Sequence, residues 1–374
     1  MQRAQAMTEE GQYELAVDLA LCVMQQMLEL LQFADDSGGD VGLVMEEATS
    51  LLSLAAADMP EASGAACFRM VLQAAAEPEY QGRTDCRMSL LNICSLLARE
   101  PWQRNLLEEF LTELLAAGDQ GDSWRSRYEA EAIALLRYEL IRQFDGPLPA
   151  ADFLHRHRHF SRLREIVIQQ ALAAGNFSGA EALALEGEQQ DKTLPGLVHQ
   201  WKKYRLDSYR LGQDKTKLLQ LGRELAVNGD FADYQTYKEL YEPAEWAGRY
   251  PELLAEIARQ PGYFNGKYTE ILLLEQDWPA LLAYVQKSPR LILSFYRKLL
   301  PDYREQVYEL FTFLIRQEAA ASSNRSQYRA VCSHLRLLTK IGNKKAAGEL
   351  ARELLQQYPR RPAFREELQQ YLGD

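Results

Sequence analysis

The chain has 374 residues, 47% hydrophobic and 25% charged, proportions that exclude a disordered polymer and fit a folded globular protein. No uninterrupted apolar run reaches the ~20 residues of a membrane-spanning helix, and the start Met1-Gln2-Arg3-Ala4-Gln5-Ala6 lacks the apolar centre of a secretion signal, so the expectation is a cytoplasmic protein with no membrane partner. The formal charge of −11 is unevenly spread. Residues 1–150 hold 10 Arg and no Lys against 25 acids, whereas residues 151–374 hold the other 32 basic groups against 28 acids.

Apolar residues recur at intervals of three and four almost throughout, and no stretch alternates in the manner of a strand, so the pattern predicts an all-α fold. In the acidic part, Leu15, Leu19, Val23, Met27, Leu30 and Leu31 mark a long first helix, ended by the turn Asp35-Asp36-Ser37-Gly38-Gly39-Asp40. That turn lacks the oxygen spacing and terminal Glu of a calcium-binding loop. Helices follow at about 42–57, 61–77, 83–98, 101–117 and 123–144, with Pro101 in a first turn and a turn at Gly118–Gly121. The stretch Phe144-Asp145-Gly146-Pro147-Leu148-Pro149 then stops the last of these and sets a boundary between an acidic helical region, 1–146, and a second helical region, 147–374.

The second region reads as a tighter series, with helices at about 151–159, 161–174, 177–190, 194–211, 214–227, 230–240, 243–259, 265–275, 278–286, 290–299, 302–320, 324–341, 343–357 and 361–372. One short phrase recurs at the joints: a small or polar break, a bulky or long side chain, then an apolar residue three positions on. It reads Gly11-Gln12-Tyr13 to Ala16, Gly175-Asn176-Phe177 to Ala180, Gly229-Asp230-Phe231 to Tyr234, Gln276-Asp277-Trp278 to Leu281 and Gly342-Asn343-Lys344 to Ala347. Glycine can end a helix left-handed, Asn or Asp can cap the next, and the ring can staple the two together. The joints keep no fixed period, so the expected architecture is a right-handed α-solenoid of divergent tetratricopeptide-like (TPR-like) helical hairpins. The motif Tyr358-Pro359-Arg360-Arg361-Pro362-Ala363-Phe364 would end one helix, start the last and cap the array, its arginines reaching acidic groups on the preceding pair.

From about residue 150 onward an ordered set of signatures resembles a known family. The set is Glu245-Trp246; Tyr268 with Ile271, Leu272 and Glu275; Ala319-Ala320 with Ser323-Asn324-Arg325-Ser326 and Tyr328; and Tyr358 with Arg361-Pro362-Ala363-Phe364 and Glu367-Leu368. Its order and spacing resemble the long helical region that follows the zinc finger in bacterial SWIM zinc finger proteins. The resemblance implies a binding role toward proteins or nucleic acid. The family's Cys-x-Cys and Cys-x-His pairs have no counterpart here, so it carries over no zinc ligand to any residue of this chain. Cys22, Cys67, Cys86, Cys94 and Cys332 are scattered over helical patterns, which fits buried, reduced thiols.

Two basic stretches are candidates for binding. In His155-Arg156-His157-Arg158-His159, a helix would put His155 and His159 on one face at a spacing a metal could bridge, although the arginines oppose a cation. In Trp201-Lys202-Lys203-Tyr204-Arg205, with Tyr209, Arg210, Lys215 and Lys217 beyond it, aromatic residues alternate with cations in a way that could suit stacking on bases, although in so acidic a chain an ordinary repeat helix with Trp201, Tyr204 and Leu211 in the core is the favoured reading. The candidate patch is therefore His155, Arg156, Arg158, His159, Trp201, Lys202, Lys203, Tyr204 and Arg205. Phosphate loops, nucleophile elbows and His-Glu-x-x-His motifs are absent from the sequence. The sequence thus points to a non-enzymatic scaffold for a protein partner, without cofactor or metal, with nucleic-acid association as the alternative and an enzyme with a dispersed site as a third reading.

Overall fold

The computed structural model describes every residue except 32, 34, 35, 118–123, 261–265 and 374. The turn expected at Gly118–Gly121, and Asp35 of the acidic turn, lie outside the described residues. Among the described residues are 21 α-helices, two short 3-10 turns and no strand, which makes the fold all-α. The chain forms two compact units, Met1–Leu221 and Gly222–Asp374.

The first unit contains α1 (Gln2–Glu9), α2 (Tyr13–Leu30), α3 (Asp40–Asp58), α4 (Glu61–Ala76), α5 (Thr84–Leu97), α6 (Pro101–Ala117), α7 (Trp124–Phe144), α8 (Pro147–His157), α9 (Ser161–Ala173), α10 (Phe177–Gln190) and α11 (Pro195–Leu211); the division falls inside α12 (Lys215–Asn228). The second contains α13 (Phe231–Lys238), α14 (Pro243–Ile257), α15 (Gly266–Glu275), α16 (Trp278–Lys287), α17 (Ile292–Leu299), α18 (Arg304–Ala321), α19 (Arg325–Lys340), α20 (Lys344–Gln357) and α21 (Pro362–Gly373). Within each unit helices pack on near neighbours in the chain, and some on both the next helix and the one after it, as α9 does on α10 and α11, and α19 on α20 and α21. This is the contact order of a repeat solenoid, in which each hairpin buries its apolar face against its neighbours. The seam expected at 146/147 is a helix break, with Gly146 at φ 90°, yet α7 packs on both α8 and α9 across it. Residues 1–146 and 147–374 differ in charge, whereas the compact units divide at 221/222.

The recurrent phrase marks helix joints at all five places. Gly11, Gly175 and Gly342 are left-handed at φ 76°, 74° and 108°, and the amides there reach back into the preceding helix, as Asn176 N does to Ala171 O at 2.8 Å and Gly175 N to Leu172 O at 3.0 Å. That pair of bonds satisfies carbonyls a helix end otherwise leaves open. Gln276 does the same at φ 54° without the freedom of glycine, and so does Gln213 at φ 58°, a sixth joint directly after Gly212, the C-cap of α11. Four N-caps follow the phrase: Asn176, Asp230, Asp277 and Asn343 accept from Gly179 N, Asp233 N, Ala280 N and Ala346 N, each cap contributing about 1 kcal/mol. The joint at Gly229 is built differently. Lys267 Nζ donates to Ala226 O (2.8 Å), Val227 O (3.1 Å) and Gly229 O (2.8 Å), so an ammonium from α15 closes the carboxyl end of α12.

Burial at the joints corrects the staple expectation. Phe177, Phe231 and Trp278 are half-buried, whereas Ala16, Ala180, Tyr234, Leu281 and Ala347, three positions on, are fully buried. In α2 the core face is Ala16, Ala20, Met24 and Leu28 rather than the Leu15, Leu19, Val23 stripe; Leu15 is 55% exposed. Small residues face inward there because they let neighbouring helices approach closely. Arg361 also departs from expectation, donating to Ala319 O at 2.8 Å and stacking on Tyr358. It closes the end of α18 instead of meeting an acid.

Candidate functional site

The two basic stretches lie on α8 and α11 of the first unit. Helix α8 ends at His157, so His155 and His159 do not share a helix face, which removes the geometric basis for a bridged metal. Among the described residues no group of three or more His, Cys, Asp or Glu could hold a metal ion. His157 stacks on Phe153 with centroids 4.2 Å apart; burial first, then the charges of His159, Arg156 and Arg137, push its pKa down.

The cations of the patch face carboxylates. Arg156 pairs with Asp152 at 2.6 Å and Arg158 with Glu186 at 3.2 Å, while Arg205 pairs with Glu188 at 2.8 Å and donates to the Tyr209 hydroxyl. The Tyr209 hydroxyl in turn donates to Glu181, which also takes Lys217. Helix α10 therefore presents Glu181, Glu186 and Glu188 to Lys217 of α12, Arg158 just past α8 and Arg205 of α11. The Tyr204 hydroxyl donates to Glu165, and burial together with that bond pushes its pKa up to about 12. Lys202 and Lys203, on the same helix, are engaged as well.

Trp201 requires a correction, because its ring is fully buried and cannot stack on a ligand. Its Nε1 donates to Asp191 Oδ2 at 2.7 Å, and Gly187 in α10 is what admits it, since a Cβ there would lie 2.9 Å from the indole. The sequence reading missed Arg164, whose side chain is fully buried over the Trp201 ring at 5.6 Å. It donates to Gln190 at 2.8 Å and lies 3.6 Å from Glu186 and 3.8 Å from Asp191. A lone arginine on an amphipathic helix gives no signal of burial before its partners are known.

The second unit holds an open groove of about 750 Å³ formed by α13, α14 and the end of α15, within the size range of ligand clefts. Tyr241, Trp246, Tyr250 and Leu274 supply its apolar surface, and Lys238, Glu239 and Glu275 its charges. Glu275 is the hub: it accepts from Tyr234 at 2.7 Å and from Trp246 Nε1 at 3.2 Å, and pairs with Lys238 at 2.8 Å. Tyr250 donates to Asp277 at 2.9 Å. Burial first, and then these hydrogen bonds, raise the Tyr234 and Tyr250 pKa values far above the ordinary phenol value, so both are donors at neutral pH and neither is a base. Two further features favour a donor ligand. Glu239, which lines the groove, is exposed and forms no salt bridge among the described residues, as is true of Glu242 and Glu245 at the start of α14, and Pro251 inside α14 has no N–H to give the carbonyl of Ala247, which lines the groove. Arg249 already lies 4.7 Å over the outer Tyr241 ring, a cation–π contact. Trp246 and Glu275 belong to the ordered set quoted from the sequence. Others of that set are packing residues, as where Tyr328 stacks on Phe364 at 4.7 Å.

No family model matches the chain, and no curated protein matches it. A solved structure described as a circular tandem repeat protein with novel repeat topology and enhanced subunit contact surfaces is similar at 16% identity, over 100% of this chain and 86% of that one, with a TM-score of 0.19. A superposition that poor carries no argument about fold or role. Among the described residues no helix is long and apolar enough to cross a membrane.

Proposed function

We propose that the protein is a non-enzymatic, cytoplasmic helical-repeat scaffold that binds a polypeptide, and that the groove of α13–α15 takes a segment with an apolar side chain flanked by Lys or Arg. The observation that carries this is the groove itself, an open aromatic surface whose rim acids and Ala247 carbonyl ask for N–H donors. Aromatic faces accept both apolar groups and cations, and rim acids favour a basic segment while steering its approach. The hydroxyls and the hub carboxylate are already engaged with one another, so the groove offers recognition groups and no assembled acid, base and nucleophile. We also propose kinship with the helical region of SWIM zinc finger proteins; the ordered residue set supports it. The α8–α11 patch supports nucleic-acid association weakly, since its arginines are neutralised by nearby acids.

The test is selection from a random peptide library displayed on phage, with each enriched peptide then titrated by calorimetry against the wild type and Tyr241→Ala. The expected result is enrichment of sequences that combine aliphatic or aromatic residues with Lys or Arg and lose at least roughly tenfold in affinity, about 1.4 kcal/mol, in the variant. Peptides that bind both proteins equally would show that the groove is not the recognition surface.

A further inference from the structure

A second concavity lies at the other end of the second unit, about 450 Å³ bounded by α19, α20 and α21. Its charge is the reverse of the aromatic groove. Arg336, Lys344, Lys345 and Arg352 line it, with Glu349 as the one carboxylate, and the hydroxyls of Thr339 and Tyr371, 2.8 Å apart, complete the polar wall. Among the described residues Lys344, Lys345 and Arg352 make no salt bridge, while Glu353, Glu366 and Glu367 are taken by Arg316, Arg325 and Arg329. Residues 325–374 hold ten Arg and Lys against five Asp and Glu, in a chain whose total is −11.

The placement of the two lysines is itself costly. Lys344 and Lys345 open α20, where the helix dipole favours negative charge and disfavours cations by some tenths of a kcal/mol each. A helix start normally gains from Asp or Glu, so two adjacent lysines there lower the stability of the free protein, and an anion seated between them and Arg352 would recover it.

We propose that this pocket binds an acidic polypeptide segment, seating two or more carboxylates against Lys344, Lys345 and Arg352. Arginine takes a carboxylate in two parallel hydrogen bonds, and the lysines add charge without fixing orientation. One feature favours a peptide over nucleic acid: the cations converge on a pocket instead of forming a stripe spaced to follow a run of phosphates. The site is separate from the aromatic groove, and its opposite charge makes the two selective for different segments.

The experiment is calorimetric titration of a fluorescein-free hexaglutamate peptide, inorganic phosphate and a single-stranded oligonucleotide into the full chain at about 50 and 200 mM salt, a range over which charge-driven binding weakens. The proteins are the wild type, the exposed-site variant Lys344→Glu/Lys345→Glu, the single Arg352→Gln and the groove variant Tyr241→Ala. The expected result is peptide binding at low salt, weaker at high salt, reduced at least roughly tenfold in the double variant and measurably in Arg352→Gln, and unchanged by Tyr241→Ala. Circular dichroism of each variant separates lost binding from lost folding. Absence of peptide binding to the wild type, equal binding to the double variant, or tighter binding of the oligonucleotide or of phosphate than of the peptide would each overturn the proposal. The aromatic groove stands or falls on Tyr241→Ala alone.

Discussion

The buried cluster around Arg164 gives the sharpest test of how the first unit is held together. Replacing Arg164 by Met keeps an unbranched chain of similar length but removes the guanidinium from between Gln190, Glu186, Asp191 and the Trp201 ring. Removing one partner of a buried ion pair costs about 3 to 5 kcal/mol, because the other charge is left behind. Glu186 is 45% exposed and can turn to water, whereas Asp191 is 9% exposed and cannot. The loss should therefore sit near the lower limit, about 3 kcal/mol, most of it from Asp191. Asn at position 191 keeps an acceptor for Trp201 Nε1 and removes the stranded charge, so Arg164→Met/Asp191→Asn should recover at least about 1 kcal/mol over the single variant. Urea denaturation followed by tryptophan fluorescence and far-ultraviolet circular dichroism reads both values. A single variant that loses less than about 1 kcal/mol, or a double variant less stable than the single, would refute the assignment of Arg164 and Asp191 as a coupled buried pair.

Three further outcomes follow from the same structure. Gly187→Ala should destabilise the first unit, since the new Cβ meets a rigid buried indole at 2.9 Å and overpacking costs about 1 to 3 kcal/mol; Gly64→Ala, with open space at its Cβ, should stabilise α4 by up to about 1 kcal/mol in the same denaturation assay. Burial is the largest influence on Glu181 and pushes its carboxyl up, but the bonds from Tyr209 and Lys217 with the charges of Lys217 and Arg205 together hold it below the ordinary value. Its stabilisation is therefore complete above the unfolded pKa and lost as pH falls through the folded one, so the stability gap between wild type and Glu181→Gln should close as pH falls below the ordinary glutamate value. Native alkylation with iodoacetamide, read by mass spectrometry, should label exposed Cys22 first and buried Cys67, Cys332 and Cys94 last, because burial pushes the Cys67 and Cys332 thiols up to about 11 and that of Cys94 further still.

Helix positions were legible in the sequence because they rest on local signals: Phe177–Gln190 is a helix from end to end as its caps foretell, and Pro101 and Pro362 each open one. The break at Gln213 was expected between 194–211 and 214–227 and is there, but its left-handed turn was not legible, since a left-handed glutamine looks like any other. Which face of α2 is buried was also hidden. Leucines attract the eye, but close helix packing selects alanine, and only the neighbouring helix decides. The candidate patch was found as a run of cations, and the acids that neutralise it arrive from α10, at sequence distances of 17 to 36 residues for Arg205, Arg158 and Lys217. Trp201 could be read as surface or core, and the structure puts it in the core. The aromatic groove joins Tyr241 and Trp246 to Glu275 across such a gap, so no window of sequence contains it.

The left-handed joint has a consequence for how such a chain changes over generations. The joints at Gly175, Gln213, Gln276 and Gly342 are short modules that each supply their own backbone closure and their own cap, and the helices they join pack mostly on near neighbours in the chain. A recombination event that joins one such module to another leaves both flanking helices properly terminated. Whole hairpins can therefore be gained or lost while single residues within them drift, and an array edited in this way retains its joints long after it has lost any common repeat length. The uneven spacing from Gly175 through Gln213 and Gln276 to Gly342 is the record such editing would leave.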